Sequence, residues 1–170
     1  MIKSYFVGDK TSSSSQEAFS MYEKSRWGEK KSGKIEYSGV EALYLAGAGR
    51  MEILSGKSIL GFEELLKKLK KRDKRIETKL VVFGDLRKKG YIVKTALKFG
   101  TEFRVYEKGV KPGDDHARWV LTVVNESESL NWQDFAAKNR VAHSTRKKLL
   151  VAVVDEEGGV SYYEVSWTRL

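Results

Sequence analysis

Three side chains that can handle protons, Tyr106, His116 and Lys147, follow one another at spacings of ten and thirty-one residues in this chain. RNA carries its own nucleophile, the 2′-hydroxyl. Cutting it requires a base for that proton, an acid for the leaving 5′-oxygen and positive charge beside the phosphorane. A tyrosine, a histidine and a lysine can fill these roles without a metal ion. The expected products are a 2′,3′-cyclic phosphate and a 5′-hydroxyl.

Two neighbouring residues compete for these roles. His143 could form an acid–base pair with His116, and the residues alone leave this alternative open. Lys148 directly follows Lys147 and carries the same charge. Because neighbours in a strand point to opposite faces, only one of the two lysines is expected to face the site.

A metal-dependent site is the other alternative. Asp114 and Asp115 precede His116, and carboxylates suit Mg²⁺, but adjacent residues rarely coordinate one ion. The chain has no cysteine, which excludes disulfides, thiolate nucleophiles and the usual structural zinc clusters. We therefore expect neither a metal nor a cofactor.

The composition favours a compact protein with a polyanionic partner. Of its 170 residues 41% are hydrophobic, and 32 basic residues against 23 acidic ones give a net charge of +9. Such a charge attracts nucleic acid, although a thermophile's surface network of ion pairs has a similar composition. No apolar run approaches the roughly 20 residues that cross a bilayer, and the start lacks an export signal. A cytoplasmic protein without membrane contact is expected.

Residues 1–75 are expected to form a small N-terminal domain of helices and strands, with a role in assembly and a possible contact with RNA. Ser12–Ser15 is expected to be a loop before a helix. The basic run Lys67–Arg75 is expected to be a solvated helix end, with RNA contact as the alternative. The predicted elements are the strand Ile2–Val7, a helix from Ser15 to about Arg26, a helix Val40–Ala48 after Ser38, the strand Met51–Leu54 and an amphipathic segment Gly61–Leu69.

Residues 76–170 are expected to form a second domain built on a mixed sheet, so the fold class is α/β of the mixed, α+β kind. A helix from Ile76 to about Lys89 should end at Gly90. A short helix is predicted near Trp132–Lys138. The predicted strands are Tyr91–Thr95, Phe103–Tyr106, Ala117–Val124, Leu149–Asp155 and Val160–Trp167.

Three passages of this half resemble the catalytic part of an archaeal tRNA-splicing endonuclease subunit. They are Phe103–Gly109, Asp115–His116 and Arg140–Leu150. The resemblance is clearest across Gly90–Leu170 and extends more loosely into the first half. It implies an enzyme that cuts precursor tRNA at bulge-helix-bulge splice sites, and it marks residues 76–170 as the catalytic domain.

The resemblance also implies a role for each candidate. Tyr106 matches the general base of the family, His116 its general acid and Lys147 the cation that stabilises the transition state. A tyrosine with a pKa of about 10 is a poor base unless a cation stabilises its phenolate, and Lys147 is the candidate for that. In the family pattern His143 lies on the approach to the lysine, where a buried, hydrogen-bonded imidazole with a structural role is expected.

Arg140 and Trp167 are candidates for binding unpaired bases, because a guanidinium plane and an indole both stack on a base. The resemblance implies that they clamp a base of the bulge. An aromatic residue in a dimer core is the alternative for Trp167.

Asp155, Glu156 and Glu157 open a tight turn between two strands, and most such turns only stay solvated. In resembling subunits this acidic loop inserts into a basic groove of another subunit, and the last strand, here Tyr162–Trp167, pairs with its two-fold mate. Two intron ends need two active sites, so the chain must assemble, and resembling subunits of this length form homotetramers or pair with a noncatalytic subunit. Because one chain carries both a basic surface and the acidic loop, we expect a homotetramer. The alternatives are a heterotetramer with a second subunit and, for function, a noncatalytic RNA-binding or assembly subunit.

Overall fold

A computed structural model describes all 170 residues of the chain. The chain forms two compact units, Met1–Leu80 and Val81–Leu170, and each is described by itself. Both units combine helices with a mixed sheet, which confirms the predicted fold class. Every helix is too short or too polar to span a lipid bilayer.

The first unit is a six-stranded sheet with the strand order β3-β4-β2-β1-β5-β6, and only β1 and β5 run parallel. Serines start its first two helices, because the hydroxyls of Ser15 and Ser38 accept the backbone N–H groups of Ala18 and Glu41. Its elements are β1 (Ile2–Val7), β2 (Lys10–Ser13), α1 (Gln16–Ser25), β3 (Glu29–Lys31), β4 (Lys34–Tyr37), α2 (Gly39–Gly47), β5 (Met51–Ser55), β6 (Ser58–Ile59) and α3 (Phe62–Lys70).

The prediction of a loop at Ser12–Ser15 is wrong in its first half. Ser12 and Ser13 belong to β2 and pair with β4, and Ser12 also pairs with β1. The Ser13 hydroxyl donates to the carbonyl of Lys3. The backbone of a serine-rich segment pairs as well as any other, but its side chains give no apolar alternation to reveal a strand. The polar hairpin of β3 and β4 was missed for the same reason.

The basic run Lys67–Arg75 starts in the last turn of α3 and continues into the connection that follows, and most of it is exposed, as predicted. Part of its charge is used inside this unit, since Lys70 pairs with Glu77 and Arg72 with Asp9. A contact with RNA stays a prediction.

The second unit is a five-stranded sheet with the order β11-β10-β9-β8-β7. Only β9 and β10 run parallel, and the helix between them provides the crossover that a parallel pair requires. Helix α4 (Ile76–Lys88) begins in the first unit and ends in the second. The other elements are β7 (Ile92–Thr95), a 3₁₀ turn (Leu97–Phe99), β8 (Phe103–Tyr106), β9 (Trp119–Asn125), α5 (Trp132–Ser144), β10 (Lys148–Val154) and β11 (Val160–Val165).

All five strands predicted in this unit are present, with ends shifted by up to two residues. The predicted end of the helix near Lys138 is wrong, because α5 continues to Ser144. The extra turns bury Asn139 and Ala142, and the apolar contact of Ala142 with β10 compensates for the polar sequence around it.

The two faces of the second sheet pack against different helices. On one face, the Phe83 ring of α4 lies 5.9 Å from the Phe103 ring of β8. On the other, which we call the α5 face, five buried residues form a core cluster with Phe99 at its margin: Val120, Val124, Ala142, Leu149 and Val151.

Candidate active site

The sheet topology of the second unit brings the ends of four strands to one edge. Strand β8 runs antiparallel to β9, β9 parallel to β10, and β10 antiparallel to β11. The end of β8 therefore lies beside the start of β9. The start of β10 lies on the other side of β9, and the end of β11 lies next to β10. We call this the catalytic edge. It carries Tyr106, the loop 107–118 with His116, Lys147 and Trp167.

Strand alternation places Tyr106 and Lys147 on the same face of the sheet. Arg104 pairs with Val120, which belongs to the α5-face core together with Leu149. Tyr106 lies two residues after Arg104, and Lys147 two residues before Leu149, so both point to the α5 face. Strand pairing thus places these two residues, which are far apart in the sequence, on one face of the sheet.

The C-terminus of α5 sets the direction of Lys147. The backbone N–H of Lys147 donates to the carbonyl of Ala142 over 2.8 Å, and that of Arg146 donates to His143 over 3.0 Å. These two bonds define a Schellman motif, in which the residue after the cap is left-handed. Arg146 occupies that position with φ +56°, where glycine is usual. The chain therefore turns sharply from the helix into β10 at this lysine.

The Lys147 ammonium is half-buried, and its surroundings favour the neutral amine over the charged form. Its Nζ donates to the carbonyl of Thr145 over 3.2 Å and lies 5.4 Å from the centre of the Phe99 ring. Burial lowers the pKa of Lys147, and the charges of Arg104 and Lys98 lower it further. An anion that binds beside this ammonium would stabilise its charged form, because it would oppose the effects that lower the pKa.

Lys148 points to the opposite face, as alternation predicts. Its Nζ lies 3.4 Å from a carboxylate oxygen of Glu164 and 3.2 Å from the Ser166 hydroxyl. The other carboxylate oxygen of Glu164 accepts the Trp119 indole N–H over 2.7 Å. That hydrogen bond and, after the opposing effect of burial, the charge of Lys148 lower the pKa of Glu164. Lys148 is thus engaged in holding β11 to its neighbours.

Tyr106 is the last residue of β8, and only 5% of its side chain is exposed. The residue is held between β7 and the beginning of β9, since it pairs with Ile92 and the preceding Val105 pairs with Trp119. The side chain of Tyr106 is therefore almost completely covered at the catalytic edge.

His116 is exposed near the end of the loop 107–118. Its backbone N–H donates to the Asp115 carboxylate over 2.7 Å, and Asp115 forms an isolated bridge with Pro112. The two ends of the loop are joined by the ion pair of Arg118 with Glu107. The loop thus has a defined shape that leaves the imidazole open to solvent.

A cavity of about 220 Å³ lies beside Lys147 and is lined by His143, Trp167 and Asn139, among others. The imidazole of His143 packs on the indole of Trp167, with ring centres 4.5 Å apart and an angle of 60° between the planes. The expectation of a buried His143 is wrong, because the last turn of α5 leaves it exposed. Arg140 is exposed on α5 and does not line this cavity.

The acidic turn is organised by Asp155. Its carboxylate accepts the backbone N–H groups of Glu157 and Gly159 over 2.9 and 2.7 Å. The side chain of Asp155 is therefore used within the turn. Glu156 and Glu157 are exposed, and only they could present their carboxylates to another molecule without opening the turn.

No group of three or more histidine, aspartate or glutamate side chains is placed to hold a metal ion. Asp114 and Asp115 lie in the same exposed loop, where Asp115 caps the backbone of His116.

Sequence reasoning missed three residues around Lys147, namely Lys98, Phe99 and Arg104. The strand period could have found Arg104, because a residue two positions before Tyr106 shares its face. The position of Phe99 and Lys98 depends on the 3₁₀ turn that packs against α5, for which the sequence gave no periodic signal.

Comparison with known proteins agrees with this class of fold, a two-unit α+β protein with its candidate chemistry in the second unit. Residues 76–162 match the family profile of the tRNA intron endonuclease catalytic C-terminal domain, and residues 2–66 match that of the N-terminal domain. The chain belongs to the tRNA intron endonuclease family.

Full-length relatives support the same assignment. A tRNA-splicing endonuclease of Thermococcus gammatolerans is 41% identical over 170 residues, which cover 99% of both chains. That of Pyrococcus furiosus is 41% identical over 170 residues, covering 99% of this chain and 98% of the relative. The tRNA-splicing endonuclease of Nanoarchaeum equitans is 43% identical over 136 residues, or 76% of this chain and 87% of the relative.

Proposed function

We propose that the chain is a tRNA-intron endonuclease that cleaves precursor tRNA at bulge-helix-bulge splice sites by metal-independent transesterification. The observation that carries this proposal is the position of Lys147, a half-buried ammonium on the same sheet edge and face as Tyr106. Membership of the family supplies the substrate class. The products would be a 2′,3′-cyclic phosphate and a 5′-hydroxyl.

In the mechanism, Tyr106 reacts as a phenolate, for which Lys147 is the candidate stabilising cation. The phenolate takes the proton of the 2′-hydroxyl, and the resulting oxyanion attacks the adjacent phosphorus. Lys147 binds a nonbridging oxygen as negative charge develops on the phosphorane. His116 gives its proton to the departing 5′-oxygen as the general acid. Every proton then has a donor and an acceptor within the chain and its substrate.

Two residues, Trp167 and Arg140, are proposed to bind the unpaired bases of the substrate. Trp167 lies beside Lys147 and offers one side of its indole, the other being covered by His143. Arg140 is exposed one helical turn before the end of α5 and offers a guanidinium plane for the same purpose. Recognition by shape and stacking suits RNA, whose deep major groove hides its base edges.

We propose that the chain assembles as a homotetramer, in which two spaced active sites would serve the two splice sites. The exposed Glu156 and Glu157 and the net charge of +9 allow one copy to supply an acidic loop and another a basic groove. Strand β11 lies at the edge of its sheet and is available for pairing across a two-fold axis.

The test is cleavage of a bulge-helix-bulge RNA by the purified chain in EDTA, with analysis of both product ends. Lys147→Ala and Lys148→Ala form a matched pair of variants, since they remove the same charge from adjacent residues on opposite faces. We expect Lys147→Ala to lower kcat by on the order of 10²- to 10³-fold and Lys148→Ala to keep most of the activity. Cleavage that requires added Mg²⁺, or equal losses in both variants, would refute the mechanism. A chain that cuts the RNA only with a second subunit would belong to a heterotetramer. One that binds the RNA and stays inactive even then would be a noncatalytic RNA-binding or assembly subunit.

A further inference from the structure

The loop 107–118 closes on two aromatic rings, Tyr91 and Trp119, which we call the ring pair. They meet edge to face, with their centres 6.1 Å apart and an angle of 81° between their planes. The ammonium of Lys108, near the start of the loop, lies 5.1 Å from the centre of the Tyr91 ring. The guanidinium carbon of Arg118, at the end of the loop, lies 5.0 Å from the centre of the Trp119 ring. Each end of the loop thus places a cation on one ring of the pair.

Both rings of the pair are held by elements outside the loop. Trp119 is the first residue of β9, and its indole N–H donates to the Glu164 carboxylate of β11 over 2.7 Å. The backbone N–H of Tyr91 donates to the Leu86 carbonyl of α4 over 3.0 Å, and the next residue begins β7. A cation on either ring is therefore held against the sheet and not against another part of the loop.

Arg118 connects the ring pair to the opposite end of the loop. Its guanidinium contacts the Trp119 ring and also forms an ion pair with Glu107. Its backbone N–H donates to the carbonyl of Val105, and its own carbonyl accepts the N–H of Lys148, both over 3.0 Å. The backbone of Arg118 is therefore fixed between β8 and β10, while its side chain joins the two ends of the loop.

The position of His116 depends on this closure. Its imidazole is exposed, and its backbone N–H donates to the neighbouring Asp115 carboxylate inside the loop. The chain returns to the interior directly afterwards, because Ala117 is buried. Contacts of exposed cations are individually weak, but those of Lys108 and Arg118 act on the two ends of one short loop. The placement of the imidazole is thus set from the ends of the loop.

We propose that the contacts of Lys108 and Arg118 with the ring pair clamp the loop so that His116 can protonate the departing 5′-oxygen of the RNA. This inference rests on the proposed function and adds positioning residues to it. Proton transfer requires the acid within hydrogen-bond reach of the leaving oxygen, and a misplacement of about 1 Å can cost on the order of 10²-fold in rate. Arg118 suits this role better than binding a phosphate, because its guanidinium already contacts a carboxylate and a ring.

The first experiment asks whether Arg118 acts through proton transfer. Cleavage is measured in single turnovers on a bulge-helix-bulge RNA and on the same RNA with sulfur in place of the departing 5′-oxygen, because sulfur leaves without a proton. Arg118→Gln removes the ion pair and the ring contact. The control is Arg26→Gln in the first unit, where the guanidinium carbon also lies 5.0 Å from a ring centre, that of Tyr22, and the guanidinium pairs with Glu23.

We expect Arg118→Gln to cut the all-oxygen RNA roughly 10- to 10²-fold more slowly than the wild type does, and the sulfur-containing RNA within about twofold of the wild-type rate. Arg118→Lys keeps a cation for both contacts and should recover most of the rate. Arg26→Gln should match the wild type on both RNAs. Equal losses of Arg118→Gln on the two RNAs, or no loss on either, would overturn the proposal.

Two further variants test the coupling to the imidazole. Adding Arg118→Gln to His116→Ala should cost no further rate, since the clamp acts through that imidazole. Lys108→Gln releases the other end of the loop and should show the same selectivity for the all-oxygen RNA with a smaller loss. Additive losses of Arg118→Gln and His116→Ala would refute the clamp.

A direct phosphate contact of Arg118 would give a different pattern. It is tested with an RNA that carries a 2′-deoxy residue at the cleavage site, so that it binds but cannot be cut. Under the clamp, Arg118→Gln should leave the Kd of this RNA and its salt dependence unchanged. A higher Kd, together with a slope of log Kd against log salt that is reduced by about one, would assign Arg118 to a phosphate and overturn the positioning role.

The motion of the loop provides a readout that needs no cleavage. In ¹⁵N relaxation, the backbone order parameter of His116 should be near the value of about 0.85 that is typical of rigid backbone, in the wild type and in Arg26→Gln alike. In Arg118→Gln it should fall toward about 0.6, while His143, the other histidine of the chain, serves as the internal reference. A wild-type loop that is already flexible, or an unchanged value in Arg118→Gln, would contradict the clamp.

Failure of the proposed function gives a result of its own. If sulfur does not rescue His116→Ala, His116 is not the general acid, and the clamp loses its role in proton transfer as well. If sulfur rescues His116→Ala but Arg118→Gln loses equally on both RNAs, the general acid stands and the clamp alone is refuted.

Discussion

The imidazole of His143 packs on the indole of Trp167 with ring centres 4.5 Å apart. The contact joins the last turn of α5 to the segment after β11, and both residues line the cavity beside Lys147. His143 thus supports the side of Trp167 that an RNA base would not use. We propose that it is a positioning residue for base stacking and not a competitor of His116 for proton transfer.

Coupling between these two residues is the first prediction. The RNA for this test carries a 2′-deoxy residue at the cleavage site, so that it binds but cannot be cut. Trp167→Ala should weaken its binding by about 1–3 kcal/mol, the range for loss of a stacked base. His143→Ala should cost about 0.5–1.5 kcal/mol by releasing the indole, and nothing further when Trp167 is already absent. A double-mutant cycle on Kd measures this. The control is Trp132→Ala, which removes an indole that is 81% exposed and contacts Phe135 instead. Additive losses would contradict the positioning role.

The second prediction separates the general acid from the general base. His116→Ala should slow cleavage by roughly 10²- to 10⁴-fold, because the 5′-oxygen then leaves without a proton. A substrate with sulfur in place of that 5′-oxygen needs no protonation and should restore most of the rate to His116→Ala. The same substrate should not rescue Tyr106→Phe, in which the 2′-hydroxyl proton is still held. Rescue of His143→Ala instead of His116→Ala would reverse the assignment of the two histidines.

The third prediction concerns the turn that directs Lys147. Arg146 is left-handed with φ +56°, a conformation that costs a residue with a Cβ about 1–2 kcal/mol relative to glycine. Arg146→Gly should therefore raise the free energy of unfolding, by up to about 1 kcal/mol after the greater freedom of glycine in the unfolded chain is subtracted. Arg146→Ala keeps the strain and should give no such gain. Denaturant unfolding of the two variants checks this, and equal stabilities would show that the conformation carries no strain.

The fourth prediction follows from the lowered pKa of Lys147. The folded chain holds this proton less tightly than the unfolded chain, so the charged ammonium reduces stability at neutral pH. That loss should disappear as the pH rises from the lowered pKa of the folded chain to the ordinary pKa of the unfolded one. Lys98→Gln removes one repelling charge and should raise the pKa of Lys147, which an NMR titration of the lysine side chains measures. The control variant Lys30→Gln, which removes a lysine of the first unit, should leave the pKa of Lys147 unchanged.

Local patterns were sufficient for most of the second unit. Alternating residues predicted its five strands, and Gly90 marked the end of α4. The prediction failed where the local pattern was polar but the backbone was paired or packed. Ser12 and Ser13 entered a strand through their backbone groups, and α5 continued past Lys138 because Ala142 is buried against β10. Neither effect leaves a hydrophobic period in the sequence.

By itself, the sequence determined the class of fold, the family resemblance and the candidate residues Tyr106, His116 and Lys147, because residue types and short-range periods are local properties. The tertiary structure decided which residues meet. Strand order brought the end of β8 and the start of β10 to the two sides of the start of β9, and the left-handed Arg146 directed Lys147 to the α5 face. Packing also placed Lys147 on Phe99 and His143 on Trp167. These contacts depend on strand pairing and helix packing between distant segments, which no local pattern encodes.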